Sequence, residues 1–154
     1  MEELTLRSFF SNYILICAVS AWFASQVIKF LLTLLVTGKV KLERLTGSGG
    51  MPSSHTAMVV AAKIATARVC GLGSATFAIA LVLACIVMYD ATGVRRQAGE
   101  HAKQLNKINR DNDDDNDNFE DELLKEKLGH TPLEVLGGSL LGIIVSIVYS
   151  YIYY

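Results

Sequence analysis

The amino-acid sequence predicts an all-α integral membrane protein, a bundle of about four transmembrane helices with amphipathic helices at the membrane interface. Residues 8–28, 71–89 and 135–154 carry no charged side chain. Each run is close to the ~20 residues that a helix needs to cross a bilayer core. The chain is also 51% hydrophobic with a mean hydropathy of +0.36, and its apolar residues are clustered rather than scattered. At 154 residues it is sized for one membrane-embedded domain, residues 1–154.

The first span is expected from residue 8 to about residue 36. It opens on Met1-Glu2-Glu3 rather than on a basic segment, and its apolar run is too long for the core of a cleaved signal. Lys29 falls near its end, on the same face as Gln26. That lysine either snorkels to the interface or turns inward to serve a site. A basic loop, residues 38–44, leads to Gly49-Gly50-Met51-Pro52-Ser53-Ser54-His55-Thr56.

Two glycines followed by a proline and an apolar run predict a helix that starts at Pro52 and runs to about residue 70. It is the least hydrophobic of the helices, since Lys63 and Arg68 fall within it. The uncharged turn 71–74 leads to a third helix, from residue 75 to about 89. Val94, Ala98, Ala102, Leu105 and Ile108 then recur at helical spacing, which predicts an amphipathic helix to about Asn109.

Residues 111–118 are all Asp or Asn and predict an exposed, flexible acidic loop. Asp111, Asp113, Asp115, Asp117 and Glu122 match a calcium-loop template, but Asn116 stands where that template requires glycine. A solvated linker is therefore expected there. A short amphipathic helix, residues 119–128, is expected before the last span. That span contains Gly138 and Gly142, a small-xxx-small pair suited to close helix packing. Tyr149, Tyr151, Tyr153 and Tyr154 then mark a membrane interface.

Several classes are disfavoured. The net charge of −1 offers no basic field for nucleic acid. Cys17, Cys70 and Cys85 are an odd set without motif spacing, expected to be buried thiols rather than disulfides or a zinc site. A metal set of His55, His130, Asp90 and Glu134 has no supporting motif, and no cofactor is expected.

Of the fourteen Lys and Arg, three lie in the loop before Pro52 and seven between Arg95 and Lys127. With four spans, the positive-inside rule puts both basic loops in the cytoplasm and both termini outside. His55, the segment from Asp90 to Arg96, and His130 then converge on one membrane face. A helix N-terminus with Ser53 and Ser54, together with arginine forks, suits a phosphate. One histidine can attack phosphorus while a second protonates the leaving oxygen. Glu134, four residues after His130, can hold one ring nitrogen of that histidine and leave the other free.

Three motifs carry a family resemblance: Gly50-Met51-Pro52-Ser53-Ser54-His55, residues 89–99 (Tyr-Asp-Ala-Thr-Gly-Val-Arg-Arg-Gln-Ala-Gly), and residues 128–135 (Leu-Gly-His-Thr-Pro-Leu-Glu-Val). In this order they resemble the divergent branch of the type 2 phosphatidic acid phosphatase superfamily, which is related to the vanadium-dependent haloperoxidases. The resemblance covers nearly the whole chain. It implies a metal-independent helical membrane phosphatase working through a phosphohistidine. By the same resemblance His55 is the general acid, His130 the nucleophile oriented by Glu134, and Arg95 or Arg96 the phosphate-binding arginine. Here more than thirty residues separate those arginines from His130, whereas the main superfamily has only a few. The family's first motif, ending in Arg-Pro, is absent, and Lys29 is its substitute.

The sequence reading is therefore a membrane phosphatase acting on a lipid-linked phosphomonoester or a prenyl pyrophosphate. Its active site is expected at the cytoplasmic face of the plasma membrane. Catalysis is assigned to His130, His55 and Glu134, phosphate binding to Arg95, Arg96, Ser53, Ser54 and Lys29, and a supporting role to Asp90. The bilayer is the expected partner, nucleic acid is not, and a homo-oligomer is compatible with the sequence. The alternative is a catalytically silent membrane module that binds an anionic headgroup or a protein.

Overall fold

Helices make up all the regular structure among the described residues: α1 Leu6–Phe10, α2 Tyr13–Thr37, α3 Ser54–Cys70, α4 Ala75–Thr92, α5 Val94–Asn112 and α6 Pro132–Tyr153. The computed structural model describes residues 6–38, 50–112, 123–126 and 128–153. The expected first helix is interrupted. The Asn12 side chain accepts the amides of Ile14 and Leu15 at 3.0 and 3.2 Å, so α2 starts with its own N-cap. At its other end Gly38 adopts φ 63° and returns its N–H to the Leu34 carbonyl at 2.8 Å, a left-handed cap that suits glycine.

By length and composition, three stretches could cross a membrane: α2, the α4–α5 stretch up to Arg110, and α6. The expected count was about four, and the helix that does not qualify is α3. This helix packs against α2, α6 and α4. Its buried side is almost all small, with Thr56, Ala57, Ala61 and Ala65 nearly inaccessible. Close approach is possible because α6 presents glycines. A methyl group added to Gly138 would collide with the Ser53 carbonyl oxygen, and one added to Gly142 would lie 2.6 Å from that of Ala57. Ser146 continues the seam by donating to the Ala61 carbonyl at 3.2 Å. Gly138→Leu should therefore cost about 1–3 kcal/mol of stability, the usual scale of overpacking. It would be read as a lower unfolding midpoint in detergent, and an unchanged midpoint would show that the two helices do not pack this closely.

The helix ends set the position of the site. Tyr13 at the start of α2 meets Tyr153 at the end of α6 edge-on, and Ser20 shares a 2.8 Å hydrogen bond with Tyr149, so α2 and α6 run antiparallel. At the opposite end, Ser53 N–H donates to the Glu134 carbonyl at 3.0 Å and His130 N–H to the Ala91 carbonyl at 2.9 Å. The last turns of α2, the start of α3, the end of α4 and the start of α6 therefore share one end of the bundle.

Three expectations are corrected here. First, α3 begins at Ser54 rather than Pro52, because Ser53 takes the N-cap position and its oxygen accepts the Thr56 amide. Second, the described part of 119–128 is not helical. Residues 123–126 and 128 form an irregular strap against α5, where Asn106 pairs with the backbone of Leu124 in both directions. Third, only Cys17 is a buried thiol, since Cys70 and Cys85 face outward. The amphipathic helix α5 is present, but Gly99, Ala102 and Asn106 form its covered side while Val94, Leu105 and Ile108 are exposed. Of the acidic loop, residues 113–118 and the template position Glu122 lie outside the described residues.

Candidate active site

His130 sits at the junction of the strap and α6. It is 6% exposed, and its Nδ1 lies 2.9 Å from Glu134 Oε2. The same carboxylate oxygen accepts the Thr131 amide at 3.1 Å, and Thr131 Oγ1 accepts the Glu134 amide at 3.3 Å. This is a capping box, with Thr131 as cap and Pro132 as first helical residue. The helix start therefore orients the glutamate, and the glutamate orients the imidazole. With Nδ1 held, Nε2 is the nitrogen left for chemistry.

His55, Asp90, Arg95, Gly129 and His130, with the apolar Val87, Ala91 and Leu128, line a cavity of about 120 Å³. At roughly 30 Å³ per liquid water, that is space for about four waters, the scale of one phosphate group rather than of a lipid. Arg95 reaches it from the first turn of α5 and pairs through Nε with Asp90 Oδ2 from the last turn of α4. Both partners stay partly exposed, so the pair orients the guanidinium more than it stabilises the fold. His55 stands at the entrance turn of α3, outside the three apolar spans. Its pKa is lowered from the ordinary 6.5, first by partial burial and then by electrostatic interaction with Arg95, His130 and Lys29.

Arg96 does not share this cavity. Adjacent helical residues diverge by about 100°, and Arg96 lines a larger cleft of about 580 Å³ beside Lys29, Met51 and Glu134. Gly129 and His130 form the wall between the two spaces. Lys29 is turned inward, 4% exposed, with Nζ donating to Ser54 Oγ at 3.3 Å. Ser53 and Ser54 line neither space. Ser53 is fully buried, and its oxygen accepts the Thr56 hydroxyl at 2.9 Å in addition to capping α3. Of the sequence candidates, the structure thus gathers His55, His130, Arg95 and Asp90 around one cavity. Lys29, Arg96 and Glu134 line the neighbouring cleft instead, and the two serines line neither space. Among the described residues no three His, Cys, Asp or Glu side chains are grouped to hold a metal ion.

Two features escaped the sequence reading. The capping box was legible as Thr-Pro-Leu-Glu at residues 131–134, the Ser/Thr-x-x-Glu pattern. The contact of the strap with α5 had no local signal. Gly129, at φ 77°, lies against the backbone of Arg95 and Arg96, and a methyl group at Gly99 would lie 2.5 Å from the Glu126 carbonyl. Bare backbone lets the strap approach closely enough to bring His130 beside Arg95.

The chain is 39% identical over 153 residues to the uncharacterized membrane protein YuiD of Bacillus subtilis (strain 168), an alignment covering 93% of this chain and 97% of that relative. No solved structure matches it. Residues 10–145 match the family model described as the Divergent PAP2 family. The matched region takes in the Ser53 cap, Arg95 and the Glu134 box, and the chain belongs to the Divergent PAP2 family.

Proposed function

We propose that this chain is a membrane phosphatase, a single domain over residues 1–154, that hydrolyses a lipid-linked phosphomonoester or pyrophosphate through a phosphohistidine. The observation that carries the reading is the cavity lined together by His130, with Nδ1 held by Glu134, His55 and Arg95. His130 Nε2 attacks phosphorus while the bond from phosphorus to the leaving oxygen breaks, and His55 gives its proton to that oxygen. Water then attacks the phosphohistidine as the bond from phosphorus to Nε2 breaks, the water's proton leaves with the phosphate, His130 is restored, and His55 regains its proton from solvent. Arg95, oriented by Asp90, neutralises charge on the transferring group, while Lys29 and Arg96 hold negative charge on the cleft side of His130. The basic loops favour a cytoplasmic placement of this end.

Phosphate release by the purified protein in lipid nanodiscs, tested on a panel of lipid phosphates and prenyl pyrophosphates, is the direct test. An acid-labile phosphoryl label on His130 should accumulate when turnover is quenched. Failure to release phosphate from any member of the panel would leave the silent anion-binding module as the better reading.

The environment of His55 also sets a pH signature. A general acid must carry its proton in the free enzyme, and here the neutral ring is favoured. Hence kcat/KM on an alkyl phosphate should fall as pH rises through a value below the ordinary 6.5. Arg95→Met removes one of the causes, so this limb should move to higher pH even as the rate drops. An unmoved limb would place the proton donor elsewhere.

A further inference from the structure

Asn106 is 2% exposed on α5, away from both spaces at the site, yet every polar group of its side chain is engaged by the strap. Its Nδ2 donates to the Leu124 carbonyl at 2.8 Å and to Glu126 Oε1 at 2.9 Å, and its Oδ1 accepts the Leu124 amide at 2.9 Å. The carboxamide thus satisfies both backbone polar groups of Leu124 and ties them to α5. Further along, the strap passes so close to Gly99 that no side chain would fit there, and Gly129 rests on the backbone of Arg95 and Arg96. The strap ends where His130 N–H binds the Ala91 carbonyl. The segment that delivers His130 is therefore fixed to α5 at one end and to α4 at the other.

We propose that Asn106 is a positioning residue that clamps the strap to α5 and so sets where the His130 imidazole stands opposite His55 and Arg95. The kinetic part of this proposal rests on His130 being the nucleophile. The clamp itself does not. A nucleophile displaced by about 1 Å can lose on the order of 10²-fold in rate, whereas phosphate groups held by Arg95 would be little affected. A purely structural asparagine would lower the yield of folded protein and leave the folded fraction unchanged in both respects.

The test uses the full chain in nanodiscs and two readouts. One is the rate at which diethyl pyrocarbonate modifies His130, followed by mass spectrometry, with exposed His101 as internal reference. The other is kcat and KM for phosphate release. Asn106→Ala should raise the His130/His101 modification ratio about tenfold or more and lower kcat by about 10–100-fold, with KM within about threefold. Asn106→Asp sets a carboxylate against Glu126 and the Leu124 carbonyl and should behave likewise. Adding Glu126→Gln to Asn106→Asp restores a donor and should recover kcat at least about threefold. An Asn106→Ala protein with the parental modification ratio overturns the clamp, and so does a lowered kcat with no recovery in the double variant. If the parent releases no phosphate, the phosphatase reading fails, and the modification ratio alone still decides whether Asn106 holds His130 in place.

Discussion

Replacing His130 by alanine is expected to abolish phosphate release from every substrate, by on the order of 10⁴-fold or more, the scale seen when a nucleophile that acts within a unit is removed. The geometry makes the loss independent of the leaving group. His130 is the imidazole whose Nδ1 is held at 2.9 Å by a carboxylate, and every substrate, whatever its leaving group, must pass through the bond that it would form to phosphorus. Its backbone N–H to Ala91 and the Thr131–Glu134 capping box survive the substitution, so the start of α6 should stay folded. The measurement is initial rate on an alkyl phosphate lipid and on a nitrophenyl phosphate, with phosphoryl label on the protein followed in parallel. A variant that keeps more than about a tenth of parental activity on either substrate, or that still takes up label, would remove His130 from the nucleophile's place.

The helices themselves were legible because they rest on local signals. Uncharged runs located α2, α4 and α6, and the glycine pair at residues 138 and 142 announced the seam that places α6 on α3. Other features depended on competition between neighbours. Pro52 and Ser53 both suit a helix start, and the hydroxyl prevailed because it could bind the Thr56 amide. Lys29 had two destinations on an apolar helix, and only the position of Ser54 on another helix settled its inward turn.

The strap shows where local reading fails. Residues 119–128 read as a short amphipathic helix, but in the described part of that stretch a long-range partner, Asn106, satisfies the Leu124 backbone instead, and tertiary pairing overrides propensity there. The same limit applies to the arginines. Sequence placed Arg95 and Arg96 together on one phosphate, whereas helical geometry sends them to opposite sides of His130. A separation of more than thirty residues between arginine and histidine, measured along the chain, is closed in space by Gly129 lying on the Arg95–Arg96 backbone.

Replacing His55 by alanine should give a loss that depends on the substrate. His55 lines the same small cavity as His130 and Arg95, on the first turn of α3, and its depressed pKa makes its proton readily given up once a leaving oxygen develops charge. A general acid supplies roughly 10²–10⁴-fold when the leaving group is a poor one and much less when it is already a stable anion. On an alkyl phosphate lipid, whose alkoxide must be protonated as it departs, His55→Ala should therefore lose about 10²-fold or more. On a nitrophenyl phosphate it should retain most of its activity, since the nitrophenolate leaves unaided. The ring is partly exposed and makes no hydrogen bond that the α3 cap requires, because Ser53 and Thr56 form that cap. The loss should accordingly appear in kcat without a fall in the unfolding midpoint. If His55→Ala were inactive on both substrates while His130→Ala kept nitrophenyl phosphate activity, the two roles would be exchanged. Equal and modest losses for both variants on both substrates would show that neither imidazole takes part in bond making or breaking, and the cavity would then be a binding site for an anion.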